Sequence, residues 1–246
     1  MSALSALLPA TTPTNRVDDM VNRISGAIHL GLLADGEQLP VEPELARNFG
    51  VAPMTAREAL AILRQRGLVE TRRGRTGGSF VRIPESPPLD VLRSRLAGMT
   101  TFALRDLVDE HAAVASESAR LAAERASATN IRQLFGYTEQ LRTADTLGAR
   151  LRADSRFHIE LAIAAQSERL TRQTVRIQAE VAGMLWLPVG AGQEVENVVR
   201  DHHEIALAVA AEDSEKARSL VAAHVRADLP TLRSIQIDLT SDVGHA

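Results

Sequence analysis

The sequence predicts a mainly α-helical protein: an N-terminal winged helix-turn-helix with a small β-hairpin, and a C-terminal antiparallel all-α bundle. First, the prolines of IPESPP, at 83–88, are followed by no other proline until Pro188. Second, three stretches with helical periodicity of apolar residues, and then two stretches in which apolar and polar residues alternate, precede this cluster. Third, the stretch 101–187 is rich in Ala, Leu, Arg and Glu, which favours helices over strands. The expected divisions are a disordered tail at 1–14, the winged domain at 15–83, a linker at 84–100, the bundle at 101–236 and a tail at 237–246.

The N-terminal part is predicted to be three helices followed by a hairpin. Apolar residues recur at helical spacing from Val17 to Ile28. A short helix, EPELARNFG, stops at Gly50, and PMTAREALAILRQRG begins with Pro53, a residue suited to the first helical position, and stops at Gly67. LVETRR and GSFVRI alternate like two strands joined by GRTGG. This order is that of a winged helix-turn-helix.

The C-terminal part is predicted to consist of helical hairpins. Glu212 and Asp213 form a turn between NVVRDHHEIALAVAA and SEKARSLVAAHVRADL, and helical periodicity continues to about residue 235. Short turns between helices of similar length make neighbouring helices antiparallel.

Composition excludes several classes of protein. The 246 residues are 45% apolar and 24% charged, as in an ordinary globular chain. The sequence lacks a run of about 18 apolar residues, and MSALSALLPATTPTNR lacks the features of a secretion signal, so we expect a cytoplasmic protein without membrane spans. The absence of cysteine excludes disulfides and thiolate metal sites, and the net charge of −3 argues against a uniformly basic protein.

Positive charge is concentrated in the winged part. Between residues 57 and 82, seven arginines oppose two glutamates, a local net charge of +5. The chain's single lysine is Lys216, so its cations are almost all guanidinium groups, which suit bidentate contacts with phosphate and guanine. Genome composition explains the arginine bias equally well, and solvated charges on a small scaffold domain are the alternative to DNA binding.

The positions of these residues favour DNA binding. The N-terminal residues of the second helix of such a pair reach base edges in the major groove, which makes Thr55 and Arg57 polar candidates. The hairpin arginines, with glycines that permit close approach, are expected against phosphates or in the minor groove. These hairpin candidates are Arg72, Arg73, Arg75 and Gly77.

The segment DSRFHIE suggests a metal site. Asp154 and His158 lie one helical turn apart on a face that is otherwise apolar, and a buried carboxylate is normally paired, neutralised or bound to a metal. His202 and His224 are roughly ten residues before and eleven after the Glu212–Asp213 turn, about 15 Å from it, and therefore level with each other. Three imidazoles and one carboxylate suit a first-row transition metal, whereas a single buried histidine is more often a satisfied core residue.

Two neighbours of these candidates are assigned other roles. His203 points about 100° away from His202 and is expected to be exposed or to support the site from outside. Trp186, the only tryptophan, is expected to fill the core rather than to line a cavity.

The segment from Leu39 to Val81 closely resembles the DNA-binding domain of the GntR family of bacterial transcription regulators. The family pattern is LP-x-E-x-x-LA, then GV, then R-E-A-L, then GL-V, and a Gly-rich wing ending in F-V. This sequence departs from it at Pro43, Ala52 and Pro53, where relatives often carry DNA-contacting polar residues. The resemblance therefore implies readout by the remaining candidates: Arg47, Met54, Thr55, Arg57, Arg72, Arg73, Arg75 and Gly77.

The bundle resembles the FCD domain that defines the FadR subfamily of GntR regulators. Its hallmark is D-x-x-F-H, L-x-x-A, H-x-x-I and a final H, which fall here on Asp154, Phe157, His158, Leu161, Ala164, His202, Ile205 and His224. In metal-binding members the Asp and three His hold zinc, nickel or manganese, and a small carboxylate effector completes the coordination. The resemblance implies the same here, with zinc first.

The resemblance also implies where an effector would bind. Relatives clamp the effector carboxylate with an arginine of E-x-R, for which this chain offers His111. The clamp is then weaker or pH-sensitive, or an arginine elsewhere in the bundle, such as Arg150 or Arg156, supplies it.

The expected function is a homodimeric repressor that binds a palindromic double-stranded DNA operator and is controlled by a small carboxylic acid at the metal. The first alternative is a regulator of the same class with a structural metal, or none, and a larger acyl-type ligand. The second is a metal-dependent enzyme, which the lack of a paired general base disfavours. We therefore expect no catalytic activity.

Overall fold

The computed structural model describes residues 16–74, 77–189 and 194–243, with the backbone alone at 242 and 243. The chain divides into two compact units between Glu85 and Ser86. The tail expected at 1–14 lies outside the described residues. Within the described part of the chain, no helix is long and apolar enough to cross a membrane.

The first unit has the winged helix-turn-helix that the sequence predicts. The helices α1 and α2 both pack on α3, and the buried core includes Met20, Ile24, Leu45, Leu60 and Leu63. These residues recur at helical spacing, so each helix has one apolar face that can be buried. The elements are α1 (Arg16–His29), α2 (Glu42–Phe49), α3 (Pro53–Gln65), β1 (Val69–Arg72) and β2 (Gly78–Val81).

A glycine makes the turn between α2 and α3. Gly50 has φ 64° and ψ 36°, a left-handed conformation that residues with a Cβ rarely adopt, and its N–H donates to the carbonyls that end α2. Pro53 then begins α3, where its missing N–H leaves no helical hydrogen bond unmade. Two local signals therefore set the spacing of the helix pair.

The hairpin is antiparallel, and Val69 pairs with Val81 and Arg72 with Gly78. Its buried residues Val69, Phe80 and Val81 attach the wing to the helices. An isolated antiparallel bridge also joins Gln38 to Phe80 of β2.

The second unit is the helical bundle that the sequence predicts. The long helix α5 packs along α10 and α7, α6 packs on α7 and α9, and the core between them includes Leu104, Phe157, Val181, Ile205 and Val221. The helices are α4 (Leu89–Gly98), α5 (Thr101–Arg125), α6 (Ala128–Thr143), α7 (Leu147–Ala164), α8 (Glu168–Leu185), α9 (Val195–Ala210), α10 (Ser214–Arg226) and α11 (Asp228–Val243).

Side-chain caps define where most of these helices begin. In each case the oxygen of a Ser, Thr or Asp side chain accepts a hydrogen bond from a backbone N–H of the first turn, which would otherwise lack a partner. These capping residues are Thr100, Ser127, Thr146, Ser167 and Asp213.

Two stretches differ from the expected divisions. The segment expected as a linker contains α4, which buries Leu96 and packs on α8 and α11. Gln236 donates hydrogen bonds to the carbonyls of Leu96 (2.8 Å) and Met99 (2.7 Å), which ties the end of α4 to α11. The last helix also continues past residue 236 to Val243. The prolines before Leu89 mark a break, but a short half-exposed helix begins directly after them.

Candidate metal centre and nucleic-acid interface

The N-terminus of α3 presents its candidate DNA contacts to solvent. Met54 is 66% exposed and Thr55 is half-buried, while Ala56 and Ala59 pack inward. Arg57 is exposed, and its Nε donates to Oε2 of Glu42 at 3.0 Å. Because both partners are solvated, this ion pair is weak and serves mainly to orient the guanidinium.

The wing candidates are held differently. Arg72 lies 4.2 Å above the ring of Phe80, and its Nε donates to Glu70 at 2.8 Å. Arg73 is exposed, and a Cβ at Gly77 would collide with the carbonyl of Arg72. Arg47 is exposed near the end of α2. Arg75 lies outside the described residues.

The four candidate metal ligands come together from three helices. The two on α7, Asp154 and His158, meet His202 from α9 and His224 from α10. One ring nitrogen from each histidine lies within 4.8 Å of the others. Oδ1 of Asp154 is 3.4 Å from Nε2 of His202 and 3.8 Å from Nε2 of His158. All four side chains are buried.

Neighbouring side chains hold the ligands in position. Trp186 donates a hydrogen bond from Nε1 to Oδ2 of Asp154 at 3.0 Å, which leaves Oδ1 directed at the histidines. The ring of Phe157 stacks on that of His202, with centroids 3.8 Å apart. Nδ1 of His224 lies 3.3 Å from Oδ2 of Asp201, an arrangement that turns Nε2 inward.

Burial keeps two of the histidines neutral. Desolvation, and then the neighbouring histidines, lowers the pKa of His158 and His202 well below the usual value. Neither ring nitrogen of His202 makes a hydrogen bond, and Nδ1 of His158 makes none. A neutral imidazole has a lone pair available for a metal, so Nε2 of His202, which makes no hydrogen bond and lies beside Oδ1 of Asp154, fits the predicted ion.

The remaining charges of the cluster partly offset one another. Burial lowers the pKa of His224, but the hydrogen bond with Asp201 and the carboxyls of Asp228 and Asp154 outweigh it and raise that pKa. Burial raises the pKa of Asp154, against the opposing effects of Trp186 and His224. A cation placed between these groups would stabilise the ionised carboxylate and neutral imidazoles.

The candidate effector residues separate into two groups. His111, from α5, is buried with its ring centroid 5.3 Å from that of His158. Arg150 instead donates to the carbonyl of Ala144, and Arg156 donates to the hydroxyl of Tyr137 at 2.6 Å. Those contacts direct both guanidinium groups toward the region of α6. Of the three candidate effector residues, His111 is the one whose contacts place it beside the candidate metal ligands.

Sequence reasoning missed several groups at the cluster. Trp186 fills the core, as expected, but also donates a hydrogen bond to Asp154. Asp201 and Asp228 lie beside His224 and His111, and Gln178 lies beside His111. The spacing of Asp228, four residues after His224, was a usable signal. The other two are recognisable only once the helices are packed. His203 is exposed.

Comparisons with known proteins agree with this architecture. Residues 17–81 match the model for bacterial regulatory proteins of the gntR family, and residues 106–227 match the FCD domain. The HTH-type transcriptional regulator RmpR of Mycobacterium gastri is 44% identical over 233 residues, which cover 94% of this chain and 84% of RmpR. The Glc operon transcriptional activator of Escherichia coli K12 is 27% identical over 224 residues, or 85% of each chain.

A solved structure supports the fold. A GntR-family transcriptional regulator from Pseudomonas syringae pv. tomato DC3000 aligns with a TM-score of 0.51 at 22% identity, covering 99% of this chain and 95% of that one. The named relatives are regulators rather than enzymes. The chain therefore belongs to the GntR family of bacterial regulatory proteins, as a transcriptional regulator with a winged helix-turn-helix and an FCD domain.

Proposed function

We propose that this chain is a homodimeric repressor of the FadR subfamily whose operator binding is controlled by a small carboxylate at a metal site. Asp154, His158, His202 and His224 would hold the ion. The observation that carries this proposal is the convergence of three buried imidazoles, whose ring nitrogens lie within 4.8 Å and include several without a hydrogen-bond partner. Native proteins rarely leave such groups unsatisfied.

The donor set supports zinc, with nickel or manganese as alternatives. Imidazole nitrogens and one carboxylate oxygen, without sulfur, suit these divalent ions. When bound, the ion supplies positive charge and an open position at which a carboxylate can coordinate. Trp186 and Asp201 orient two of the ligands from outside, as is usual at metal sites.

Control of DNA binding requires linkage between the two units. An effector changes operator affinity only if it binds the DNA-competent and DNA-incompetent arrangements with different affinity. A two-fold symmetric dimer would recognise a palindromic operator.

Whether the chain represses or activates transcription needs a separate test. The relative from Escherichia coli is named an activator of its operon. We expect repression here, so disruption of the gene should raise transcription from the operator-bearing promoter in a reporter assay, and a fall in transcription would contradict the proposal.

Elemental analysis by mass spectrometry tests the metal site. Untagged protein purified without chelator should contain about one transition-metal ion per chain, and an Asp154→Ala, His202→Ala double variant should contain none. His203→Ala is the matched control, because His203 is the exposed neighbour of His202, and it should retain the metal.

Two other outcomes would reject the proposal. Protein without metal, before and after incubation with zinc, would favour a metal-free pocket for a larger acyl-type ligand, which native mass spectrometry would detect. The protein could also bind metal while no small carboxylic acid changes its operator affinity, measured by fluorescence anisotropy. That result would make the ion structural.

A further inference from the structure

The side chain of Gln38, in the segment between α1 and α2, reaches the turn of the wing. Its Nε2 donates a hydrogen bond to the carbonyl oxygen of Gly77 at 3.2 Å. A Cβ added at Gly78 would lie 2.6 Å from the same nitrogen, so the Gln38 side chain occupies space that only a glycine leaves open. One side chain from outside the hairpin therefore contacts two consecutive residues where β2 begins.

The backbone around Gln38 is itself bound to β2. The N–H of Gly36 donates to the carbonyl of Val81, and the N–H of Val81 donates to the carbonyl of Glu37, both at 2.9 Å. The bridge between Gln38 and Phe80 continues this antiparallel pairing. Gln38 therefore has a fixed backbone from which its amide group extends to the wing.

The face of the hairpin that Gln38 covers also carries Arg72. Phe80 lies opposite Gln38, and Gly78, two residues earlier in β2, lies opposite Arg72. Directly opposed residues of antiparallel strands, and residues two apart in one strand, point to the same face. Cζ of Arg72 lies 4.2 Å from the centre of the Phe80 ring. Gln38 and Arg72 thus approach the same face of β2 from its two edges.

The peptide group that Gln38 binds belongs to the turn that follows Arg73. The N–H of Gly77 donates to the carbonyl of Gly74 at 3.0 Å, and the carbonyl of Gly77 accepts the hydrogen bond from Gln38. A two-stranded hairpin is only marginally stable by itself. The amide of Gln38 therefore gives the turn an attachment beyond the two strands of the hairpin.

From this geometry we infer that Gln38 is a positioning residue for DNA binding. Its amide holds the wing so that Arg72 and Arg73 meet the DNA backbone at the same time as the N-terminus of α3 meets the major groove. Holding a binding segment in its bound conformation lowers the ordering cost of association. Gln38 itself is exposed, so water replaces its hydrogen bond at little cost to the stability of the fold. The inference rests on the proposed DNA contacts of the wing arginines and is independent of the metal.

Fluorescence anisotropy of the full-length protein tests this role, with a duplex that the wild-type protein selects from a random DNA pool. Gln38→Met keeps the length of the side chain over Gly78 but cannot donate a hydrogen bond to Gly77. It should lower the affinity for the duplex about two- to tenfold, the worth of one hydrogen bond. The midpoint of thermal unfolding of the winged unit should stay at the wild-type value.

Double variants distinguish an effect through the wing from a general one. In protein with Arg72→Ala and Arg73→Ala, Gln38→Met should cause no further loss of affinity, because the groups that it positions are gone. In Thr55→Ala, which alters α3 instead, Gln38→Met should cause the same loss as in wild type. Gln65→Met, at an exposed position near the end of α3, is the matched control and should bind as wild type does. Low salt keeps the weaker variants measurable.

Three results would overturn the inference. Gln38→Met could weaken binding equally with and without the wing arginines, or lower the thermal midpoint, and Gln38 would then be a structural residue. Gln38→Met could also bind normally while Arg72→Ala, Arg73→Ala binds weakly, which would leave the wing contacts intact but remove the role of Gln38. Wild-type affinity in Arg72→Ala, Arg73→Ala would overturn the wing contacts and the inference together.

Discussion

At the scale of single residues, the two oxygens of Asp154 have different surroundings. Oδ2 accepts a hydrogen bond from Trp186, and Oδ1 faces His202 and His158. A donor on one oxygen fixes the orientation of the carboxylate and so the position of the other oxygen. The only tryptophan of the chain is therefore a positioning residue as well as a core residue.

Replacing Trp186 with Phe keeps the aromatic bulk but removes the donor. We expect the affinity for zinc to fall about 10- to 100-fold, the usual effect of losing a partner of a metal ligand. Competition with a fluorescent chelator measures it, and circular dichroism checks the fold. Tyr137→Phe, which removes a hydroxyl bonded to Arg156, should leave zinc affinity unchanged. Equal affinity in Trp186→Phe and wild type would reject the positioning role.

His111 and Asp228 predict opposite dependences of stability on pH in chelator-treated protein. Burial, followed by the charge of His224, lowers the pKa of His111 from 6.5 to about 3. As the pH falls, the imidazole of His111 is therefore protonated in the unfolded chain before it is protonated in the folded one. The stability contributed by His111 is present above pH 6.5 and is lost as the pH falls toward 3. Burial raises the pKa of Asp228 from 3.8 to about 7, so its contribution is present below pH 3.8 and lost as the pH rises through 7.

Chemical denaturation of two variants measures these contributions. The free energy of unfolding of wild type relative to His111→Gln should increase with pH between 3 and 6.5, by at most about 1.4 kcal/mol per unit. Relative to Asp228→Asn it should decrease with pH between 4 and 7. Slopes of the same sign for both variants would show that the folded pKa values are not displaced in this way.

At the scale of elements, the N-terminus of α3 carries the residues that we expect to read bases. An apolar face of Ala and Leu anchors the helix, and Met54 and Arg57 project into solvent. Glu42 at the start of α2 pairs with Arg57 and so holds the guanidinium near the helix N-terminus. In the proposed DNA-binding mode, the helix pair would thus position a cation for the major groove before DNA binds.

Arg57→Ala should nearly abolish binding to an operator selected from a random DNA pool. A bidentate contact with a base is worth about 1–3 kcal/mol of discrimination, and loss of the charge weakens nonspecific binding as well. Arg66→Ala, at the C-terminal end of the same helix, is the control and should bind almost normally. Fluorescence anisotropy at moderate salt measures both. Retained affinity in Arg57→Ala would make the assignment of α3 to the groove wrong.

At the scale of the whole molecule, the two units have separate cores, and all four candidate ligands lie in the second. A ligand that binds only the folded state stabilises the unit that binds it. Metal removal should therefore act on the bundle and leave the winged unit unchanged.

Differential scanning calorimetry tests this separation. At a free zinc concentration of about 100 times Kd, the gain is about 2.7 kcal/mol, so chelator should lower the midpoint of the larger unit's transition by roughly 5–10 °C. The transition of the winged unit should not move. In the Asp154→Ala, His202→Ala variant, chelator should have no effect on either transition. A shift of both transitions in wild type would contradict the assignment of the metal to one unit.

The sequence by itself determined the fold class, the order of the helices and the hairpin, because the apolar periodicity, Gly50, Pro53 and the side-chain caps act on nearby backbone. Spacing about the Glu212–Asp213 turn also predicted that His202 and His224 are level, and the structure brings their ring centroids to 5.0 Å. It did not predict α4, whose single buried residue gives a weak pattern.

Only the tertiary structure decided what surrounds the histidines. Whether Gln178 reaches His111, and whether Trp186 reaches Asp154 beside the histidines, depends on how α8 is rotated and packed against α5 and α7, and no local pattern specifies that rotation. Arg156 differs, because the sequence itself puts it two residues after Asp154, about 200° around the helix. The structure adds only its partner, the hydroxyl of Tyr137 on α6. Contacts between helices far apart in the chain are set by the packing of whole apolar faces. The composition of the site follows from that packing.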